Sequence, residues 1–243
     1  NPTSPNRNFI VALGLAIGIF VGCTISLLLG VYKGVYYSRK NLINATNAHY
    51  VNNVKPLYKL KNKNLKFIKE ILHKKPILVL QDLIIEIFKS NSKQIIVTSS
   101  KSKIKAFELA KSLAICIQSN DLRLAVVDFS SNSKSSNISS EKNSKELFNL
   151  FEIDENISIL SLNKDINILE FLSTQNLPLE LRYLNKKFDM VFICADDNYS
   201  MNLLRILENQ KVFHISLTRT KSTKKITLKK MQQLIPIQGL LCD

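Results

Sequence analysis

Residues 95–118, IIVTSSKSKIKAFELAKSLAICIQ, decide how the chain is read. Ile95, Ile96, Val97 and Thr98 are β-branched and predict a strand over Gln94–Ser99. A short polar loop follows. Apolar residues then recur at helical spacing and predict a helix over Lys103–Ser119. Strand, polar loop and helix form the frame in which nucleotide-binding proteins hold a phosphate, yet this loop contains no glycine.

On either side the same alternation continues. The stretch ILVLQDLIIEIFKS, residues 77–90, places Val79, Leu80, Leu83, Ile84, Ile87 and Phe88 on one helical face. Further strands are predicted at Arg123–Phe129, Ser158–Leu162, Met190–Ala195, Val212–Thr218 and Ile237–Leu241. Helices are predicted at Lys145–Phe151, Pro178–Lys186, Ser200–Asn209 and Thr223–Leu234. Near-continuous apolar strands alternating with helices predict an α/β domain whose mostly parallel sheet is covered on both faces. The Ser/Asn/Lys-rich run SSNSKSSNISSEKNSK, from Ser130 to Lys145, reads as a surface loop.

Upstream, Phe9–Val31 is a run of 23 residues without a charge. As a helix it spans roughly 34 Å, enough for a hydrocarbon core of about 30 Å. A cleaved signal peptide is excluded by the length of the run and by Lys33, Arg39 and Lys40 after it. Tyr32, Tyr36 and Tyr37 are placed where an interfacial aromatic belt falls. Gly14, Gly18 and Gly22 recur every four residues, a spacing that opens a groove for a second helix.

The formal charge of +15 is concentrated beyond this span. Lys33–Lys75 holds eleven Lys or Arg against one acid, Glu70. The positive-inside rule therefore puts residues 33–243 in the cytoplasm. The expected organisation is an outer end over 1–8, a membrane helix over 9–32, a basic juxtamembrane linker over 33–75 and a folded domain over 76–243. The linker either lies against anionic lipid headgroups or is simply solvated, its lysines enforcing topology. No aromatic interleaving or recognition motif points to nucleic acid, and none is expected as a partner. Cys23, Cys116, Cys194 and Cys242 lack a metal-ligand rhythm and read as reduced thiols. His49, His73 and His214 are as scattered, and no metal site is expected.

Order and motifs together carry a resemblance. NPTSPNRNFIVALGLAIGIFVG, with Pro2 and Pro5 before the helix, resembles the periplasmic end and second transmembrane helix of bacterial polysaccharide co-polymerases, the chain-length-determinant family. Residues 77–243 are similar to the bacterial tyrosine kinase domain, of P-loop NTPase fold, fused to many members. The resemblance implies a C-terminal fragment of an inner-membrane protein, with a first membrane helix and a periplasmic domain before Asn1. It also implies a homo-oligomer working with polysaccharide polymerase or export machinery.

Laid on that pattern, Thr98-Ser99 and Leu113-Ala114 fall in place, while the phosphate loop between them is altered. Lys103 and Lys105 occupy glycine positions, Ala106 that of the phosphate-contacting lysine, Phe107 that of the magnesium-holding serine and Glu108 that of a threonine. In LAVVDFSS, Asp128 is kept and Ser130 replaces a second aspartate. In FDMVFICADD, Cys194 stands at the Walker B aspartate, with Asp196 and Asp197 just beyond, where the family has prolines. The chain ends GLLCD rather than in a tyrosine cluster, and the E-x-x-R-x-x-R helix of ring assembly is not recognisable. These substitutions imply a pseudokinase: no catalytic residue, no nucleotide or other cofactor, and a scaffold role in setting polysaccharide chain length. Two alternatives stay open, a divergent tyrosine kinase or ATPase of the same family and a membrane-tethered relative of the partition ATPases.

Overall fold

A computed structural model of the chain describes residues 7–36, 38–48, 50–53, 77–100, 102, 105–118, 122–129, 148–154, 156–162, 168–173, 176–220 and 222–242. The long helix α1 (Arg7–Lys33) opens it. Its window Arg7–Leu29 is long and apolar enough to cross a membrane, and none of it is buried by the rest of the chain. Thr24 returns its hydroxyl to Phe20 O at 2.8 Å, so this hydroxyl of the apolar stretch is satisfied within the helix. Around Gly14, Gly18 and Gly22 an added Cβ would meet nothing within 4 Å.

Eight strands form one sheet among the described residues. They are β1 (Tyr50–Asn53), β2 (Gln94–Ser100), β3 (Leu124–Asp128), β4 (Phe148–Asp154), β5 (Ile157–Leu162), β6 (Met190–Asp196), β7 (Val212–Thr218) and β8 (Gly239–Cys242). Their order is β1-β8-β7-β2-β6-β3-β5-β4, and every neighbouring pair is parallel except β4 with β5. All seven residues of β2 are buried, as a central strand requires.

Each face of the sheet is covered. Helices α3 (Ile77–Ser90) and α4 (Ala106–Ile117) pack Leu83, Ile87, Leu109 and Leu113 against Ile95, Val97, Val126 and Phe192. On the other face α5 (Ile168–Ser173), α6 (Asn176–Lys187), α7 (Asp197–Leu207) and α8 (Lys225–Leu234) pack Phe171, Leu181, Leu204 and Met231 against Ile96, Val127 and Ile193. Alternate residues of one strand thus enter opposite layers, and the α/β reading with a doubly covered, mostly parallel sheet holds.

Of the segment expected as the helix Lys145–Phe151, the described residues from Phe148 onward belong instead to the antiparallel edge strand β4. Phe148 and Phe151 sit three apart, which imitates a helical face, but both are buried against the sheet. Only residues 155 and 156 separate β4 from β5, and a two-residue connection closes a hairpin. Residues 130–147, including Ser130, lie outside the described residues.

The beginning of the stretch expected as a linker is built into the domain. Gly34 turns the chain directly after α1 at φ +57, a left-handed conformation that glycine adopts without steric cost. Its carbonyl accepts from Lys225 N at 2.8 Å, and Val35 makes an antiparallel bridge to Lys224. Helix α2 (Arg39–Thr46) follows, with Ser38 Oγ accepting from Asn41 N at 3.2 Å as its N-cap. Asn47, at φ 47, closes the other end. Tyr36 and Leu42 are buried with Leu228, Ile237, Leu240 and Cys242, and β1 extends the sheet beyond β8. Tyr36 therefore lies in a core rather than at a lipid interface, whereas Tyr32 is exposed. Residues 54–76 lie outside the described residues.

Candidate functional site

After β2 the chain passes over β6 to reach β3; after β6 it crosses β2 to reach β7. Connections leaving in opposite directions open a crevice outside the carboxyl ends of these strands, where ligands of open α/β sheets bind. The N-terminus of α4 points there, and helix N-termini favour anions.

Lys105 precedes α4 in an extended conformation and makes no side-chain cap, as a side chain without an acceptor must. The cap comes from another strand. Ala106 N donates to Asp196 Oδ1 at 3.3 Å. A carboxylate at the positive end of the helix occupies part of the position a phosphate oxygen takes in such folds. Asp196 is the last residue of β6, opposite Ser99. Ser200 Oγ, 3.0 Å from Ala195 O and 2.9 Å from Asp196 O, pins the turn behind it.

Cys194, expected at the Walker B position, is fully buried two residues inside the strand. Its carbonyl accepts from Phe129 N at 2.9 Å, and it faces Asp128 across the β3–β6 register. Burial, then the charges of Asp128 and Asp196, push its thiol well above the ordinary range. The thiol is inert and flanked by two carboxylates. Asp128, the last residue of β3, is buried. Strand periodicity identifies the group that matters: Phe192, Cys194 and Asp196 share the α4 face, and only Asp196 reaches its edge. That alternation was available in the sequence; motif spacing alone pointed to Cys194.

The remaining substituted positions divide. Phe107 packs against the core under α4, and Ala106 is buried. Glu108 adds a second carboxylate in the first turn, its Oε2 buried without a hydrogen-bond partner among the described residues. Burial lowers the pKa of Lys111, against the opposing charge of Glu108. Lys103 lies outside the described residues. The loop entrance is fixed from the far side of the crevice. Thr223 Oγ1 donates to Ser100 O at 3.1 Å and accepts from Arg219 N at 3.0 Å.

A bare phosphate fits this edge poorly, because Asp196 already accepts from Ala106 N there and Glu108 adds a negative charge to the first turn of α4. A phosphate carried with magnesium fits better, since Asp128 and Asp196 can supply anionic oxygens to a hard cation. Among the described residues no group of three or more His, Cys, Asp or Glu gathers to hold a metal without a substrate.

Comparison with solved structures identifies the architecture. The chain superposes on the BceF tyrosine kinase domain with TM-score 0.58 at 13% identity, covering 86% of this chain and 98% of that one. The fold is that of bacterial tyrosine kinase domains. The chimerical protein CapA2B2 gives TM-score 0.58 at 12% identity, over 84% of this chain and 98% of that one. The kinase domain of the Escherichia coli tyrosine kinase ETK gives 0.55 at 11%, over 81% and 89%. No family model matches the chain, and no curated protein matches it.

The likeness corrects the expectation that the domain is not an enzyme. Solved domains sharing its architecture are tyrosine kinases, so a kinase-like fold with Asp128 and Asp196 at its ligand edge replaces the pseudokinase reading.

Proposed function

We propose that the chain is an anchored subunit of bacterial surface-polysaccharide chain-length control or export, whose cytoplasmic domain is a divergent, magnesium-dependent nucleotide enzyme of the tyrosine kinase fold. The observation that carries it is the direct passage from α1 into that fold: Gly34 O accepts from Lys225 N, and Val35 pairs with Lys224. Apolar helix, basic segment and kinase-fold domain follow one another as in the co-polymerases the sequence resembles. In this reading α1 spans the inner membrane, residues 33–243 are cytoplasmic, and the glycine face of α1 packs against other copies. The chain is then the C-terminal part of a longer protein.

Within the domain, Asp128 and Asp196 would hold the cation that accompanies a nucleotide phosphate, and the first turn of α4 would face that phosphate. The cation would neutralise phosphate charge, a task no lysine at position 106 performs here. The test is the melting temperature of the full chain in detergent, with ATP and magnesium together and separately. A rise that needs both supports the reading; no rise with both overturns the enzymatic half of it.

A further inference from the structure

The exposed face of α8 carries a pattern that the nucleotide edge does not use. Leu228 and Met231 turn inward. On the opposite side Lys225, Lys229 and Lys230 are exposed, and Ile226 among them keeps 62% of its surface open. At 100° per residue these four occupy one continuous arc of the helix, with Gln233 inside it. Lys224 and Arg219, also exposed, extend the arc toward the helix start. Between Glu208 and Asp243 the sequence contains no acid, so no carboxylate on this segment balances the charge. A basic stripe around a solvent-facing isoleucine is the composition of a helix that lies in a lipid headgroup layer.

Position then selects the partner. The first residue of α8 donates to Gly34 O, one residue beyond the end of α1, and Lys224 pairs with Val35. Lys229 and Lys230 are four and five residues further on, roughly 6–8 Å along the axis, within about one Debye length at physiological salt. If α1 spans the bilayer, these ammonium groups are held at the headgroup layer by the fold itself.

We infer that α8 is a docking face for anionic lipid headgroups, holding the kinase-fold domain against the membrane beside its own span. This rests on the membrane-spanning reading of α1. It assigns the lipid contact to the C-terminal helix, distant in sequence from the basic stretch 33–75.

The experiment uses the full chain in nanodiscs with an environment-sensitive dye at Gln233→Cys in a Cys23→Ser background. The other thiols are protected: Cys194 and Cys242 are buried, and burial pushes Cys116 up to about 12. Quenching by headgroup-proximal spin-labelled lipid should be several-fold stronger with phosphatidylglycerol present than in phosphatidylcholine alone. Lys229→Glu/Lys230→Glu should reduce it to the neutral-lipid level, and Lys229→Gln/Lys230→Gln should give an intermediate loss. Lys186→Glu/Lys187→Glu on α6 should leave it unchanged. Equal quenching in both lipids, or indifference to the α8 charges while the chain stays in the disc through an alkaline wash, overturns the docking face alone. A chain that leaves the disc in that wash overturns the spanning reading and the docking face with it.

Discussion

The hydroxyl of Thr98 lies 2.9 Å from Nε2 of His214, with both side chains fully buried between β2 and β7. On the other side of the ring Nδ1 lies 3.2 Å from Ile235 O. A carbonyl only accepts, so Nδ1 carries the proton and Nε2 receives that of Thr98. The pair ties the central strand of the sheet to the exit of α8.

Burial lowers the pKa of His214 to about 4. The unfolded ring, near 6.5, takes up its proton first as pH falls. Stability is therefore complete above pH 6.5 and declines between about 6.5 and 4, by up to about 3 kcal/mol from this group. Denaturant midpoints of wild type and His214→Gln across that range should differ in slope, the variant being flatter. Parallel slopes would exclude a buried neutral histidine. At neutral pH, Thr98→Val should cost about 1–3 kcal/mol, because it strands the ring acceptor in the core.

Nucleotide binding should depend on both carboxylates. At a hundredfold excess over Kd, a bound ligand raises stability by about 2.7 kcal/mol, roughly 5–10 °C in melting temperature for a chain of this size. Magnesium with ATP is expected to give such a rise, and Asp128→Asn and Asp196→Asn each to abolish it. A rise that persists in both variants, or that appears without magnesium and vanishes with salt, would mean polyanion attraction to lysines instead.

Replacing Gly34 tests the turn that joins α1 to the sheet. A β-branched residue at φ +57 is strained, and Gly34→Val should lower stability by about 1–2 kcal/mol or more. The measurement is resistance of the full chain to proteolysis between α1 and α2. Unchanged cleavage would show that the turn is free to adopt another conformation.

Self-association should respond to the glycine face. Gly18→Leu fills the groove, so a reporter of helix association in membranes should read a clear loss for residues 7–33. Phe20→Ala, on the opposite face of the helix, serves as control. Equal signals from both would remove this helix pairing.

Orientation is read with an impermeant thiol reagent. A cysteine replacing Lys63 should be shielded in intact cells and labelled after lysis, as the basic segment on the inner side requires. Labelling before lysis would reverse the topology and end the co-polymerase reading.

The sheet was legible because its strands are short, buried runs such as Ile95–Val97 and Val191–Cys194, separated by helical periods. The edges were not. Tyr50–Asn53 and Arg39–Thr46 contain too few apolar residues to show a period, and they are ordered by long-range partners, β8 and α8, instead of local propensity. The edge strand β4 looked helical because its phenylalanines fall three apart. At the candidate site, motif spacing located the loop and Asp128. The strand expected to end at Ala195 runs one residue further, to Asp196, because a motif fixes an order of residue types and not where a strand ends.

Thr223, Lys224 and Lys225 are consecutive, and each is fastened to a different place: the carbonyl of Ser100 at the loop entrance, the backbone of Val35 and the carbonyl of Gly34. Successive Cα atoms stand about 3.8 Å apart, so two peptide units separate the end of the apolar helix from the mouth of the crevice. Mechanically this is a short linkage, in which only two peptide units lie between the contact that holds the end of α1 and the one that holds Ser100.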